Sequence, residues 1–404
     1  MNIQRKPLKA IAELKDSLHQ TPEYADEGVP MVRVTDIRRG FLDLSATKRV
    51  DEATYQAFTK NYSPMAGDIL FSRVGSYGNS CFVDRNERFC LGQNTVCIAP
   101  LRECVDPFYL YCCLNSDIVR DQIEAMVGGA SQPTISLKSI STLMIPYPER
   151  STQSRIASIL SAYDDLIENN TRRIKILEDM AQMLYREWFV NFRFPGHEKV
   201  RMVESELGSR PDRWSVKPLG EVAAITMGLS PKGDTYNEVG DGLPLINGPV
   251  EFDERFTKAV KWTTAPAKSC KEGDLIVCVR GSTTGKYVKS DGIYCLGRGV
   301  CCLSSQYQSF VDLLFQHELP KLLAQTSGST FPSWTGPQLK SHPVQCPPTD
   351  ALERFEAVVR PMIAAVGVYS RRNRNLRTTR DFLLPKLISG EVPVEAAELV
   401  EQAV

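Results

Sequence analysis

The sequence predicts an α+β protein in which two α/β globular domains are separated by two long antiparallel coiled-coil helices, as a pseudo-twofold internal duplication. An apolar stripe with alternating steps of four and three residues runs from Ile156 to Trp188. This is the periodicity of a helix packed lengthwise against another helix. The same stripe recurs from Phe355 to Leu387, and strand and turn motifs recur ahead of each stripe. Two copies of one domain-plus-helix arrangement are therefore predicted.

The first globular domain is predicted over residues 1–148, where short strand-like runs alternate with turn-forming glycines and a proline-containing strand ends the segment. The first long helical spacer is placed at 149–192. The second globular domain is placed at 193–348, and the second long helical spacer with a C-terminal tail at 349–404.

The two globular domains share motifs in the same order. Gly67-Asp68-Ile69 recurs as Gly273-Asp274-Leu275, Arg73-Val74-Gly75-Ser76 as Val279-Arg280-Gly281-Ser282, and Ser131-Gln132-Pro133 as Thr330-Phe331-Pro332. Turn glycines and strand apolar residues repeat, whereas the loop residues between them differ. A shared frame that carries different loops is suited to two related but unequal recognition tasks.

The seam between the two helices is predicted from the stripe. Its residues are Ile156, Leu160, Tyr163, Ile167, Asn170, Ile174, Leu177 and Leu184 on the first helix, and Phe355, Val359, Val366, Tyr369, Asn373, Leu376 and Leu383 on the second. A buried asparagine in such a seam usually fixes its register, so Asn170 and Asn373 are interpreted as register marks. The alternative is a local defect that faces solvent. Pro361 predicts a kink or break in the second helix.

Composition limits the classes of function. Basic and acidic residues balance at 48 each, so any nucleic-acid surface must be local. The twelve cysteines form no Cys-x-x-Cys pair and the four histidines lie far apart, so no metal site is predicted and the cysteines are expected to be reduced and mostly buried. No signal peptide or membrane span is recognisable, which predicts a cytoplasmic protein that does not contact a membrane.

No catalytic motif is recognisable either. The segment from Gly281 to Tyr287 resembles a phosphate-binding loop, but only three residues separate Gly281 from Gly285, and Tyr287 stands where a magnesium-binding Ser or Thr belongs. Nucleophile-elbow, zinc-helix and base-methylation motifs are absent from the sequence. We therefore expect a noncatalytic chain that holds no cofactor of its own.

The loops carry side chains that suit DNA recognition. Guanidinium, ammonium, amide, hydroxyl and aromatic groups are the types that read base edges and hold phosphates. The candidates are Arg73, Ser76, Tyr77, Asn79, Ser131 and Gln132 in the first domain, and Arg280, Thr283, Lys286, Thr330 and Trp334 in the second. Each could instead be an ordinary surface loop residue. The arginine run at 371–380 could likewise be a solvated helix face, a phosphate contact or a site for an acidic partner.

This arrangement resembles the specificity subunit of type I restriction-modification systems. The resemblance covers the whole chain, as domain, helix, domain, helix. It is sharpest at Gly67-Asp68-Ile69-Leu70-Phe71-Ser72-Arg73-Val74-Gly75, at residues 134–148 leading into 153–160, and at Trp214 with Leu219-Gly220.

The resemblance implies that each globular domain is a target recognition domain that reads one half of a split, asymmetric sequence in double-stranded DNA. The helices, each roughly 60 Å long at 1.5 Å per residue, would act as a ruler. Two methyltransferase subunits carrying S-adenosylmethionine would dock on the helices, and restriction (motor-nuclease) subunits can join. A coiled-coil scaffold with protein-binding globular ends remains the alternative, since the balanced charge allows it, and an enzyme with a dispersed site is a third reading.

Overall fold

The computed structural model describes residues 3–128, 133–326 and 332–394. The chain divides into two compact units. The first comprises Met1–Thr171 and Arg371–Val404, and the second comprises Arg172–Ser370. Each unit therefore contains one globular domain together with parts of both long helices.

The globular domain of the first unit is built from short strands and helices. Its strands are Arg5–Pro7 (β1), Ala12–Asp16 (β2), Val29–Val32 (β3), Lys48–Val50 (β4), Ile69–Ser72 (β5), Ser80–Phe82 (β6), Cys90–Leu91 (β7), Thr95–Pro100 (β8) and Met144–Pro146 (β9), and its helices are Glu52–Thr59 (α1), Pro107–Leu114 (α2), Asp117–Met126 (α3) and Leu137–Ser141 (α4). The long helix α5 follows at Arg150–Tyr185 and continues as a π-helical turn at Arg186–Val190.

The globular domain of the second unit has a similar set of elements. Its strands are Met202–Val203 (β10), Arg210–Pro211 (β11), Ser215–Pro218 (β12), Ala224–Met227 (β13), Tyr236–Asn237 (β14), Leu243–Ile246 (β15), Trp262–Thr263 (β16), Leu275–Cys278 (β17), Tyr287–Lys289 (β18), Cys295–Leu296 (β19), Val300–Ser304 (β20) and Pro343–Cys346 (β21), and its helices are Leu219–Val222 (α6), Gln308–Ala324 (α7) and Gly336–Ser341 (α8). The long helix α9 spans Thr349–Ser389.

The two globular domains share one sheet topology. An antiparallel sheet of order β2-β8-β5-β6 in the first corresponds to β13-β20-β17-β18 in the second. The parallel pair β3 and β7 corresponds to β15 and β19, and the antiparallel pair β1 and β9 corresponds to β12 and β21. These matched topologies confirm the predicted α+β class and the internal duplication.

The central strand of each domain is buried on both faces. Ile69 and Phe71 of β5 pack against the α2 and α3 helices, whereas Leu70 packs against the smaller sheet. In β17 the corresponding alternation places Leu275 and Val277 on the helix side and Ile276 on the other. Because successive side chains of a strand point to opposite faces, a continuous apolar run is required here.

Caps on short helices fix the chain next to these sheets. The Asp106 carboxylate accepts hydrogen bonds from the Phe108 and Tyr109 amides at the start of α2, with Pro107 at the first helical position. At the start of α8, Thr335 and Gln338 form a capping box.

The described cysteines carry free thiols, mostly buried in the apolar cores. Burial raises the pKa of the Cys113 thiol to about 12 and has the same effect on Cys81. Thiols with so high a pKa are protonated and weakly nucleophilic near neutral pH. They act as packing groups of the two domains.

In the first unit, α5 and α9 pack antiparallel through a polar contact. The Asn170 amide donates to Asn373 Oδ1 at 2.9 Å, and the Asn373 amide donates to the Ile167 carbonyl at 3.2 Å and to Thr171 Oγ1 at 3.1 Å. Both asparagines are buried. Their pairing fits one alignment of the two helices, which is the property of a register mark.

In the second unit, the packing of α5 and α9 is aromatic. Tyr185, Trp188 and Phe189 surround Phe355, with ring centroids 6.4, 5.6 and 4.7 Å away. Phe189 also contacts Phe310 of α7 at 4.9 Å. The helix pair and the second globular domain thus share one apolar core.

The predicted seam residues are buried to different degrees. The buried ones are Ile156, Leu160, Tyr163, Ile167, Asn170, Ile174, Phe355, Val359, Val366 and Asn373, and the partly buried ones are Leu177, Leu184, Tyr369, Leu376 and Leu383. The predicted break near Pro361 is wrong, since α9 runs on to Ser389. Pro361 and Ala357 are both exposed, so water can reach the Ala357 carbonyl that lacks a helical partner.

A buried ion pair lies in the seam of the first unit. Arg380 Nη1 donates to Asp164 Oδ1, and the two side chains are 9% and 7% exposed. Burial raises the pKa of the Asp164 carboxyl, and the adjacent guanidinium opposes this shift. In the sequence, Arg380 occupies a stripe position where an apolar residue is expected, and Asp164 lies one residue after the stripe position Tyr163. The periodicity therefore did not predict that the two side chains pair.

Candidate nucleic-acid interface

Each globular domain presents a tight turn between corresponding strands. We call residues 73–79, between β5 and β6, the first turn, and residues 279–286, between β17 and β18, the second turn. Gly75 and Gly281 both adopt positive φ, 71° and 82°. Their amides donate to the Pro133 and Pro332 carbonyls, each at 3.1 Å. Left-handed backbone favours glycine, so the glycines shared by the two copies shape both turns.

The two arginines of these turns are not equivalent. The Arg73 amide donates to the Asn94 carbonyl at 2.9 Å, and the matching bond in the second domain is made by Val279 to Gly299 at 2.9 Å. Arg280 therefore corresponds to Val74. A shift of one residue in extended backbone turns a side chain to the opposite face. Arg73 and Arg280 consequently point into different surroundings.

Arg73 is engaged within the first domain. Its Nη1 lies 2.9 Å from Asp16 Oδ1, its Nε donates to the Ile135 carbonyl at 3.4 Å, and its side chain is 14% exposed. The guanidinium ties the turn to β2 and to the segment before α4. A base contact by Arg73 stays a prediction, and it would compete with this ion pair.

The other candidates of the first turn differ in exposure. Ser76 is exposed, with its hydroxyl 3.5 Å from Ser72 Oγ. Asn79 is partly buried, and Tyr77 packs against the apolar core. Of these residues, Ser76 presents the most accessible polar group.

The second turn is more polar and more open. Arg280 and Lys286 are exposed, and Thr283 is partly buried. Residues 282–286 of the turn line an open groove of about 650 Å³, and Asp253 and Glu254 line the same groove. The Lys286 ammonium can donate to phosphates and guanine, whereas the two carboxylates can accept from the cytosine amino group. The groove thus offers both kinds of contact to a base edge.

The prediction that Trp334 contacts DNA is wrong. Its side chain is 2% exposed, and its indole N–H donates to the Leu322 carbonyl at 2.8 Å. Trp334 occupies the place of Ile135 in the first domain, since the Trp334 amide donates to Val279 and the Ile135 amide to Arg73. It is a core residue because this backbone position faces inward. Ser131, Gln132 and Thr330 lie outside the described residues.

The helix α5 carries an exposed apolar stripe in the second unit. Ile176, Met180 and Met183 are 57%, 43% and 63% exposed, and their spacing of four and three residues places them on one face. On α9, Arg371, Arg372 and Arg374 of the basic run are exposed. Sequence periodicity alone did not single out the apolar stripe, because the seam stripe dominates the pattern.

Among the described residues, no group of His, Cys, Asp and Glu side chains could hold a metal ion. No helix in the described ranges is both long and apolar enough to span a membrane.

Comparison with known proteins identifies the family. The profile described as "Type I restriction modification DNA specificity domain" matches residues 2–179 and 211–354. The HindI specificity subunit of Haemophilus influenzae is 32% identical, with 81% of this chain and 86% of that protein covered. The putative MjaX specificity subunit of Methanocaldococcus jannaschii is 25% identical, with 91% and 88% covered.

A solved structure shows the same fold. The type I restriction-modification S subunit from M. genitalium superposes with a TM-score of 0.63 at 18% identity, over 96% of each chain. The family profile covers most of this chain in two copies, one on each globular domain. The profile match and the 32% identical HindI relative show that the chain belongs to the type I restriction-modification DNA specificity family.

Proposed function

We propose that this chain is the specificity subunit of a type I restriction-modification complex and that it reads a bipartite, asymmetric target in double-stranded DNA. Residues 1–148 and 193–348 would be its two target recognition domains, and 149–192 and 349–404 its helical spacers. The observation that carries the proposal is the duplicated fold with a different polar turn in each copy. Different turns on one frame would read different half-sites.

In this proposal, partner subunits carry out the catalytic steps, which are DNA methylation and DNA cleavage. Two methyltransferase subunits would dock on the long helices, and restriction subunits would join them. The exposed stripe of Ile176, Met180 and Met183 supports docking, since adjacent exposed apolar side chains on a helix mark a protein contact. S-adenosylmethionine would be held by the methyltransferase and not by this chain. Because the proposed ligand is DNA, we place the complex in the cytoplasm.

Substitution of Arg280 tests the DNA contact in the second domain. If its guanidinium reads a base, Arg280→Ala is expected to cost about 1–3 kcal/mol of binding and to relax one position of one half-site. Uniform weakening over all sequences, with a smaller salt dependence, would instead make it a phosphate contact. Selection of bound DNA from a random library distinguishes the two.

Arg213→Ala provides the matched control, because Arg213 is an exposed arginine of the same unit that lies outside the second turn and pairs with Asp350. Its selected target should equal that of the unmodified protein. If Arg280→Ala binds with the affinity and base preferences of this control, Arg280 is not part of the interface.

A further inference from the structure

An ion-pair relay joins the first globular domain to the helix pair in the first unit. Arg39 Nη2 lies 2.8 Å from Asp381 Oδ1 of α9, and Arg380 Nε donates to the same oxygen at 3.0 Å. Arg380 in turn pairs with the buried Asp164 of α5. A loop of the globular domain is thereby connected to both long helices through alternating charges.

The second unit makes the corresponding contact with a different set of residues. Arg255 Nε donates to Glu178 Oε1 of α5 at 2.6 Å, and Arg255 Nη2 donates to Oε2 at 3.1 Å. This bidentate geometry is the strongest arrangement for an arginine and a carboxylate. The Glu178 hydrogen bonds raise the pKa of the Arg255 guanidinium.

The two arginines lie on equivalent loops. The Gly40 carbonyl accepts from the Phe82 amide at 2.9 Å, and the Arg255 carbonyl accepts from the Lys289 amide at 2.9 Å. Gly40 is therefore equivalent to Arg255 in the duplication, and Arg39 lies one residue before that position. Each arginine reaches the long helix that follows the other globular domain in sequence, α9 for Arg39 and α5 for Arg255.

The same contact is thus made twice by residues that the duplication does not align. In the repeat register of the helices, Asp381 corresponds to Gln182 and Glu178 to Arg377. The buried pair of Asp164 and Arg380 corresponds to Ile363 and Ala181. The contact recurs although its residues differ, which indicates a requirement for the contact itself.

We propose that Arg39 and Arg255 are positioning residues that fix the angle of each recognition domain on the helix pair and so set the DNA spacing that the protein accepts. This inference rests on the proposed function. Neither arginine needs to touch DNA for this role. A fixed angle keeps each recognition turn at one place relative to the helices. Loss of the ion pair would let the orientation of the domain relative to the helices vary.

The test uses the full-length chain co-expressed with its methyltransferase and the DNA target that this complex selects, with variants of that target whose spacer is one base pair shorter or longer. Arg255→Ala is expected to reduce the preference for the correct spacer by about tenfold, equivalent to about 1.4 kcal/mol, while the bases selected in each half-site stay the same. Arg39→Ala is expected to act in the same direction. Glu178→Gln is the second variant, since it removes only the charge and keeps the side-chain shape.

Two further variants separate positioning from general destabilisation. Arg255→Glu combined with Glu178→Arg should restore spacer discrimination, because the pair is rebuilt with its charges exchanged. Arg88→Ala removes an exposed ion pair with Glu52, within the first globular domain, and should behave as the unmodified protein. Discrimination that stays within about twofold of the unmodified protein in Arg255→Ala and Glu178→Gln would overturn the inference. If the complex with the unmodified chain selects no bipartite target, the proposed function is contradicted, and the inference that rests on it is contradicted too.

Discussion

Removing one heptad from each long helix, residues 167–173 and 370–376, is expected to shorten the DNA spacer between the two recognised blocks by about three base pairs. Seven helical residues rise about 10 Å, and successive base pairs are about 3.4 Å apart. A whole heptad preserves the phase of the apolar stripe, so the seam can re-form. The spacer is measured by selecting bound sequences from a random DNA library.

The two deletions must be paired because α5 and α9 pack antiparallel in each unit. The side chains of Asn170 and Asn373 are hydrogen-bonded to each other. The two residues lie at the centres of the two deleted segments. Removing residues 167–173 alone would leave Asn373 buried without its partners, and we expect that variant to lose stability and DNA binding. An unchanged spacer in the paired deletion would show that the helices do not measure the distance.

Asp164→Ala is expected to destabilise the protein by about 3–5 kcal/mol, because the buried Arg380 guanidinium loses the carboxylate at its Nη1 and keeps only the Nε contact with the exposed Asp381. The Asp164 and Arg380 side chains are only 7% and 9% exposed. Replacing both by apolar residues of similar volume, Asp164→Leu with Arg380→Met, should recover most of that loss or exceed the original stability. Urea unfolding of each variant measures the free energies.

Asp165→Ala is the control for this series, since Asp165 is the exposed neighbour on the same helix. Its effect should lie within about 0.5 kcal/mol of zero. If Asp164→Ala were no more destabilising than Asp165→Ala, the ion pair would not be held in the buried geometry described above.

The long helices and the duplication were predictable because the spacing of apolar residues can be read from the sequence alone. The apolar stripe repeats every seven residues, and its second copy follows the same repeated turn motifs. The buried asparagines were predictable for the same reason, since Asn170 and Asn373 interrupt the stripe at seam positions.

The site was less predictable because side-chain direction in a turn depends on the backbone around it. Arg73 and Arg280 resemble each other in sequence, yet a shift of one residue turns Arg73 towards Asp16 and leaves Arg280 exposed. Trp334 carries a group that suits nucleic acid but fills an inward-facing position. The ion pairs of Arg39 and Arg255 join residues far apart in sequence, so no local pattern marks them.

Footprinting of the full-length chain, co-expressed with its methyltransferase, on DNA selected from a random library tests the proposed function most directly. We expect two protected blocks of different sequence, separated by a spacer of constant length whose bases are not read. One continuous block, uniform protection or no protection would contradict the assignment of the two globular domains as recognition domains for separate half-sites.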